Sequence, residues 1–324
     1  MNPAIIPIVL LMQPASGPSA PISSAPTTLP AGMPAKWADS EVTKLAGGFR
    51  FTEGPVYVPA TKSVIFSDIP ANTLFRYDLA TKQAVEFRKP SDNANGNVLD
   101  AEGCLLTAHH GARAVTRTLH DGTVTSLATH FDNQRFNSPN DLVQHPSGLV
   151  VFTDPPFGLP RRTEGKEQPG DFIYSVDPRT GVVDCLNRDP AVGVPTGPNG
   201  LCFSPDYKKL YVAASLPPRG LWAFDVALKQ TDDGHPDLTL SNGRELTRVE
   251  PGSPDGIRCD VLGNIWVTAG DGVQIFHPDG YLLGKIPMPE SPSNLCFGGD
   301  DMRDLFITAR TSLYHVRTSI PGVR

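Results

Sequence analysis

Six stretches of the chain open with a small polar or acidic residue that leads into a short apolar run. These lead residues are Glu53, Asn95, Asn140, Asn199, Asp255 and Ser293. All six side chains carry oxygen, and two of them are carboxylates. Two carboxylates that converge repel each other unless a cation lies between them. An all-oxygen donor set suits a hard divalent ion, so the predicted ligands are Glu53, Asp255 and Asn199, with Asn140 as a further candidate.

The same residue types also have a local explanation. Asn, Asp and Ser favour turns because their side chains bond the nearby backbone. Turn chemistry would therefore account for most single lead residues taken alone. Glu53 in "FTEGPVY" is different, because Glu is not a favoured turn residue and this one stands directly before an apolar run.

Each lead residue starts the same pattern: a strand, a turn rich in Pro, Asp and Gly, and a second strand that ends in a small residue. Two such runs around a turn predict a β-hairpin. The lead residues are 42, 45, 59, 56 and 38 positions apart, close to the repeat of a four-stranded propeller blade. Segments between the hairpins supply a second hairpin for most units. We therefore predict an all-β fold, a six-bladed β-propeller, with the segment "EVTKLAG" closing the ring.

Propeller geometry places the first strand of every blade along the central channel. Lead residues that start these strands meet at one rim, where they would form the cation site. An irregular β-sandwich would also use a dozen hairpins, but it would not explain the regular lead residues.

The N-terminal region has a different composition. Residues 4–12 form an apolar run that is too short to span a bilayer, and residues 13–32 are rich in Pro, Ser, Ala and Thr. We predict a disordered or signal-like extension, an export signal and linker, over residues 1–36 and the propeller over residues 37–324. The missing basic segment argues against a signal. With export the protein would be periplasmic or extracellular, and otherwise cytoplasmic.

Composition limits the partners. The formal net charge is −6, and no basic patch is visible, which disfavours nucleic acid. We expect no stable membrane span and a monomer. The chain has five cysteines without a CxxC pair, and we expect them to be buried apolar residues rather than a disulfide framework.

Six motifs, taken together and in their order along the chain, resemble the SMP-30/gluconolactonase/luciferin-regenerating family. They are "FTEGPVY", "NSPNDLV", "FTDPPFG", "PNGLCFSPD", "SPDGIRCDVLGNIWVT" and "ITARTSLYHV". The resemblance implies a six-bladed propeller with one divalent metal ion, held by Glu53, Asn199 and Asp255. It implies that Asp255 is the catalytic base and that Asn140 binds the metal or the substrate. Some relatives carry an Arg two residues before that Asn, where this chain has Ser138.

The resemblance implies a metal-dependent lactonase that hydrolyses a sugar lactone, such as gluconolactone, to the aldonic acid. The metal would polarise the carbonyl while Asp255 deprotonates water. Ca²⁺ is the favoured ion, and Mg²⁺, Mn²⁺ and Zn²⁺ are alternatives. Competing functions are a calcium-dependent phosphotriesterase, a hydrolase of other lactones, and a non-catalytic binding propeller whose metal is structural. No GxSxG motif supports a serine hydrolase.

Second strands return to the same rim, so their last residues would surround the metal. The candidates there are Asp68, His110, Asp154, Asp271 and Arg310. With Asn95 and Asn140, His110 and Arg310 are the predicted substrate-binding residues. Alternatively His110 is a surface turn residue and Arg310 makes an ion pair. Asp154 is expected to fix its turn by bonding backbone N–H groups, and His109 to face away from the site.

Overall fold

β-Strands joined by tight turns make up nearly all regular structure in residues 32–231 and 234–323, the part of the chain that the computed structural model describes. Three short 3₁₀ turns are the other regular elements of that part. They span Pro59–Thr61, Pro160–Arg162 and Pro190–Val192. The apolar run at residues 4–12 and nearly all of the following Pro-rich stretch lie outside the described residues. Among the described residues, no helix is long and apolar enough to cross a membrane.

Strands β1–β26 form six four-stranded antiparallel sheets, the blades, and one small extra hairpin. Strand β1 is Thr43–Gly47. The first blade is β2 Thr52–Val58, β3 Ser63–Asp68, β4 Thr73–Asp78 and β5 Gln83–Arg88. The second is β6 Ala94–Leu99, β7 Leu105–His109, β8 Ala114–Thr118 and β9 Val124–Ala128. The extra hairpin is β10 His130–Phe131 and β11 Gln134–Arg135.

The other four blades follow in chain order. The third is β12 Leu142–Gln144, β13 Val150–Asp154, β14 Phe172–Val176 and β15 Val183–Cys185. The fourth is β16 Pro198–Phe203, β17 Lys209–Ala214, β18 Gly220–Gln230 and β19 Pro236–Arg248. The fifth is β20 Ile257–Cys259, β21 Ile265–Ala269, β22 Gly272–Phe276 and β23 Leu282–Pro287. The sixth is β24 Pro292–Gly298, β25 Asp304–Ala309 and β26 Ser312–Arg317, completed by β1. The predicted six-bladed propeller is confirmed.

The ring closes where the N-terminal strand joins the last blade. Strand β1 pairs antiparallel with β26, with Thr43 opposite His315 and Gly47 opposite Ser312. This is the closure expected of "EVTKLAG". Upstream of it, the buried ring of Trp37 packs edge-on against Trp266, with centroids 5.7 Å apart. Closure ties the two ends of the propeller together in one sheet.

Blades pack face to face through apolar side chains that alternate along the strands. Between the third and fourth blades, for example, Val151, Leu201 and Phe224 are fully buried. Each such side chain contributes roughly 1.5–3 kcal/mol of hydrophobic stabilisation. The five cysteines are free thiols; four are buried and Cys185 is partly exposed. The packed blades hold the inner strands in fixed positions around the channel.

In four blades, the first strand, which lines the channel, pairs irregularly with the second strand near its start. In the first blade, the register slips between Glu53 and Val56, so that β2 has one extra residue opposite β3. Such a bulge re-aims a side chain at the start of a strand. Gly54 has φ +50°, and a Cβ at this position would lie 1.9 Å from the carbonyl oxygen of Asn95. Only glycine fits there, because the next blade approaches so closely. This explains the Gly of "FTEGPVY".

Candidate active site at one rim of the channel

Hydrogen bonds between neighbouring blades join the lead residues into a ring. The N–H groups that follow three lead residues donate to the carbonyl of the next lead residue. These bonds are Gly96 to Asn140 at 2.8 Å, Gly200 to Asp255 at 3.1 Å and Gly256 to Ser293 at 2.8 Å. Side-chain hydroxyls complete the ring, such as Ser293 Oγ donating to the Thr52 carbonyl at 2.6 Å. The structure thus brings the predicted lead residues together at one rim.

Glu53 is 4 % exposed and faces the channel. Its Oε2 accepts hydrogen bonds from the Gly54 N–H at 2.7 Å and from Asn294 Nδ2 at 2.9 Å. Within the described residues, no donor contacts Oε1. Burial raises the pKa of Glu53 to about 7, the Asp141 carboxylate acts in the same direction, and the two hydrogen bonds oppose it.

Asp255 and Asn199 lie side by side on adjacent blades. Desolvation by the surrounding protein raises the pKa of Asp255 well above its ordinary value, and the charges of Glu53 and Asp141 raise it further. The side chain of Asn199 acts in the opposite direction and lowers the pKa. Asn199 Nδ2 also donates to Ser215 Oγ at 3.0 Å. Two carboxylates therefore share a site with little internal compensation.

His110 holds the amides of two lead residues. Its Nε2 lies 3.0 Å from Asn95 Nδ2 and 3.5 Å from Asn140 Nδ2. Burial lowers the pKa of His110 to about 4, and the neighbouring His109 acts in the same direction. The ring is therefore neutral at pH 7, and its Nε2 accepts from the amides. Asn95 Oδ1 is buried and has no hydrogen-bond partner among the described residues. The alternative of a surface turn residue is wrong for His110, which is 9 % exposed.

Three further channel residues escaped the sequence analysis: Asp141, Asn294 and Arg258. Asn294 Nδ2 bridges Glu53 Oε2 and Asp141 Oδ2, at 2.9 and 3.3 Å. Arg258 contacts the same Asp141 oxygen at 3.4 Å. Asp141 and Asn294 occupy the position after the lead residue, where the other four blades have glycine. This departure from glycine is the sequence signal that could have identified Asp141 and Asn294.

Two other carboxylates at the rim, those of Asp154 and Asp68, stabilise the fold. Asp154 accepts the N–H groups of Asn137 and Ser138, at 2.7 and 2.8 Å, as predicted. In the first blade, Asp68 accepts the N–H groups of Arg50 and Phe51 in the same way, at 2.8 and 3.2 Å. Both carboxylates therefore anchor the segment that precedes a lead residue.

The remaining rim predictions have mixed outcomes. Asp271 is bonded to Lys285 at 2.5 Å, on the outside. The ring of His109 makes hydrogen bonds with Ser91 O and Thr116 Oγ1, at 2.9 and 2.8 Å, and so faces away from the site, as expected.

Among the described residues, the Ser293 hydroxyl bonds only backbone and Thr308 atoms, so Asn294 rather than Ser293 faces Glu53. Arg310 is exposed at the rim, and the described residues show no ion pair to it.

A loop from the third blade covers His110. Ser138 Oγ donates to the Pro155 carbonyl at 2.5 Å and accepts the Gly158 N–H at 2.9 Å. A Cβ on Gly158 would lie 2.5 Å from His110 Cγ, so this loop touches the imidazole. The Ser138 hydroxyl therefore holds this loop in place over His110.

The residues present fit a divalent cation. Three carboxylates (Glu53, Asp141 and Asp255) face one guanidinium (Arg258), and neutral His110 adds no charge. If all the carboxylates are ionised, two negative charges lack compensation, which matches one divalent ion. The free oxygen of Glu53 and the unpartnered Asn95 Oδ1 supply hard donors on the same rim. No cluster of three or more His, Cys, Asp or Glu side chains with metal-binding geometry occurs in the described residues; a cation at this rim would need amide oxygens beside the carboxylates.

The chain is similar to known proteins over most of its length. The profile of the SMP-30/Gluconolactonase/LRE-like region matches residues 51–311. The gluconolactonase of Zymomonas mobilis is 33% identical over 302 residues, which cover 86% of this chain and 81% of that protein. Pentonolactonase XacC of Haloferax volcanii is 28% identical, over 80% of this chain and 81% of its own. The structure of XC5397 from Xanthomonas campestris, described as a gluconolactonase, aligns with a TM-score of 0.77 and 30% identity, covering 88% and 91% of the two chains.

Proposed function

The chain belongs to the SMP-30/Gluconolactonase/LRE-like family, and we propose that it is a metal-dependent hydrolase of sugar lactones. Support comes from two relatives named for lactone hydrolysis and from a solved gluconolactonase structure, each aligned over most of both chains. The proposed product is the aldonic acid, formed by opening the ring ester. We further propose that the small-molecule lactone is handled by a monomer.

One observation carries the proposal: Glu53 and Asp255 are held together at the channel rim without a cationic partner of their own. The nearby guanidinium of Arg258 contacts Asp141 instead. Bringing two carboxylates into one site costs free energy, because they are desolvated and repel each other, unless a ligand offsets that cost. We propose that the ligand is one divalent cation, with Ca²⁺ favoured because all the donors are oxygens. Glu53, Asn199 and Asp255 would hold it, with Asn140 beside it.

When bound, the cation would supply Lewis-acid polarisation of the lactone carbonyl and stabilise the negative charge that develops on its oxygen. Asp255 then has the position of the general base. It accepts a proton from the water that attacks the carbonyl carbon. When the ring C–O bond breaks, Asp255 returns a proton to the leaving alkoxide, which becomes the hydroxyl of the aldonic acid.

Asn95, Asn140 and His110 would orient the sugar. His110 fixes both amide groups through its Nε2 and leaves Asn95 Oδ1 as a buried acceptor without a partner. A sugar hydroxyl is a suitable donor for that oxygen, because an unpaired buried acceptor costs about 1–3 kcal/mol. Because its imidazole is neutral and its Nε2 is engaged, His110 positions the amides rather than moving protons. We propose that exposed Arg310 contacts polar groups of the substrate from the rim.

The test is acid release from a series of lactones by chelator-stripped protein. We expect no turnover after chelation and recovery when Ca²⁺, Mg²⁺, Mn²⁺ or Zn²⁺ is returned singly. The series should include gluconolactone, a pentonolactone, an acyl-homoserine lactone and a phosphotriester. Turnover of sugar lactones above the others would support the proposal. Full activity in the stripped protein, or no turnover with any ion, would contradict it.

A further inference from the structure

A second cavity lies in the channel at the end away from the lead residues. Its volume is about 1070 Å³, and the turns between first and second strands line its mouth, for example at Pro59, Glu102 and Pro146. Arg258 lies at its inner end, where it also contacts Asp141 of the proposed active site. The same cavity is lined by three thiols, those of Cys202, Cys259 and Cys296.

Two of these thiols touch. Cys202 Sγ and Cys259 Sγ are 3.4 Å apart, and the residues are 4 % and 3 % exposed. Cys202 lies on β16 of the fourth blade and Cys259 on β20 of the fifth, so the contact crosses a boundary between blades. Cys296 lies on β24, and within the described residues no sulfur contacts it.

We propose that Cys202 and Cys259 form an intramolecular disulfide that links the fourth and fifth blades. A disulfide bond is about 2.05 Å long, so the two sulfurs must approach each other by roughly 1.4 Å. The pairing of these strands with β17 and β21 keeps both Cα atoms in place. Because the thiols line the cavity, a small oxidant has a route to them.

The oxidant we name is a low-molecular-weight disulfide, oxidised glutathione. One protein thiolate attacks a glutathione sulfur, which releases one glutathione thiol and leaves a mixed disulfide. The second protein thiol then displaces the remaining glutathione. In total, two protein thiols are oxidised and one glutathione disulfide is reduced to two thiols. The hydrogen bond with Cys202 raises the pKa of the Cys259 thiol, and burial acts in the same direction, so we expect the exchange to be slow.

The bond would lock the part of the channel wall that carries two proposed cation ligands. β16 contains Asn199, and Asp255 directly precedes β20. The two cysteines are 57 residues apart in the chain, so the link would also restrict the unfolded chain and stabilise the fold. The inference does not depend on lactone hydrolysis, because it concerns two thiols that take no part in that reaction.

The experiment is incubation of the full-length protein with oxidised glutathione, followed by thiol counting in denaturant and non-reducing peptide mapping. We expect loss of two of the five thiols, a Cys202–Cys259 linked peptide, and a higher melting temperature that dithiothreitol reverses. Five remaining thiols, a link that involves Cys296, a disulfide between two chains or a lowered melting temperature would each overturn the proposal.

Cys296→Ser is the matched control, because Cys296 lines the same cavity without touching another sulfur. It should lose two thiols as the wild type does, whereas Cys259→Ser should lose none to an internal disulfide. Peptide mapping of the wild type alone already decides the question if the variants fold poorly.

Discussion

Glu53 with Asp255, and Asp154 in the third blade, are carboxylates on the same rim of the channel; Glu53 and Asp154 are buried and Asp255 is half-buried. Burial raises the pKa in both places, to about 7 for Glu53 and about 8 for Asp154. The partners differ. Each oxygen of Asp154 accepts a backbone N–H group. Glu53 has one oxygen without a donor in the described part of the chain, and only the Asn199 side chain lowers the pKa of Asp255 against the charges of Glu53 and Asp141.

Asp154 is therefore a carboxylate that stabilises the fold, whereas Glu53 and Asp255 are the pair for which we propose a ligand. A shifted pKa alone does not distinguish them, since desolvation acts on both. The decisive property is whether the protein itself satisfies the charge. Asp154 holds its loop with hydrogen bonds to both oxygens, whereas the proposed cation would relieve the repulsion between Glu53 and Asp255.

The largest expected effect is on turnover. Asp255→Asn should lower kcat for lactone hydrolysis by about 1000-fold or more, because the general base is lost. The stripped variant should melt no lower than the wild type, because a repulsive charge has been removed. Turnover assays with excess cation, together with thermal melts, measure both. Near-normal turnover in a folded, cation-loaded variant would refute the role of Asp255.

Asp154→Ala should show the opposite pattern. Two buried N–H groups lose their acceptor, so the free energy of unfolding should fall by about 3 kcal/mol. Denaturant titration measures that loss. Cation affinity and kcat of the folded fraction should stay within about threefold, since Asp154 takes no part in the chemistry. A variant as stable as the wild type would show that these hydrogen bonds do not anchor the loop.

Glu53→Gln should weaken cation binding on the order of 100-fold, because the neutral amide removes one ligand charge. Calorimetric titration of the stripped protein gives the affinity. Activity lost at low cation concentration should partly return with excess ion, which distinguishes a ligand from a catalytic base. Unchanged affinity would remove Glu53 from the cation site.

The last expected effect is a pH dependence of stripped-protein stability. The folded pKa of Glu53, about 7, exceeds its ordinary value of 4.5. Its contribution to stability is therefore complete below pH 4.5 and is lost as the pH rises through 7. Relative to Glu53→Gln, the wild type should lose at most about 1.4 kcal/mol per pH unit in that window. Parallel stability curves for the two proteins would contradict the raised pKa.

Repetition made the fold and most of the rim predictable. Six copies of one hairpin pattern located the blades, the leftover "EVTKLAG" strand and the lead residues. Alternation along β7 separated His109 from His110, and turn chemistry gave Asp154 its partners. These inferences need only local pattern and the symmetry of the fold.

Contacts between residues that are far apart in the chain could not be predicted from the sequence. Asn294 meets Glu53 and Asp141 across 241 and 153 positions of the chain, and no local pattern encodes such pairs. The rotation of the Ser293 hydroxyl toward backbone, and the Ser215 bond to Asn199, likewise depend on how neighbouring blades pack. The thiol contact between Cys202 and Cys259 has the same origin.

The central claim is that Glu53, Asn199 and Asp255 hold one divalent cation at the rim. Anomalous diffraction from crystals of the protein soaked with Mn²⁺ tests it most directly. We predict one dominant peak between these three side chains, with oxygen ligands at about 2.0–2.6 Å. A dominant peak elsewhere, or none at a concentration that supports turnover, would contradict the claim.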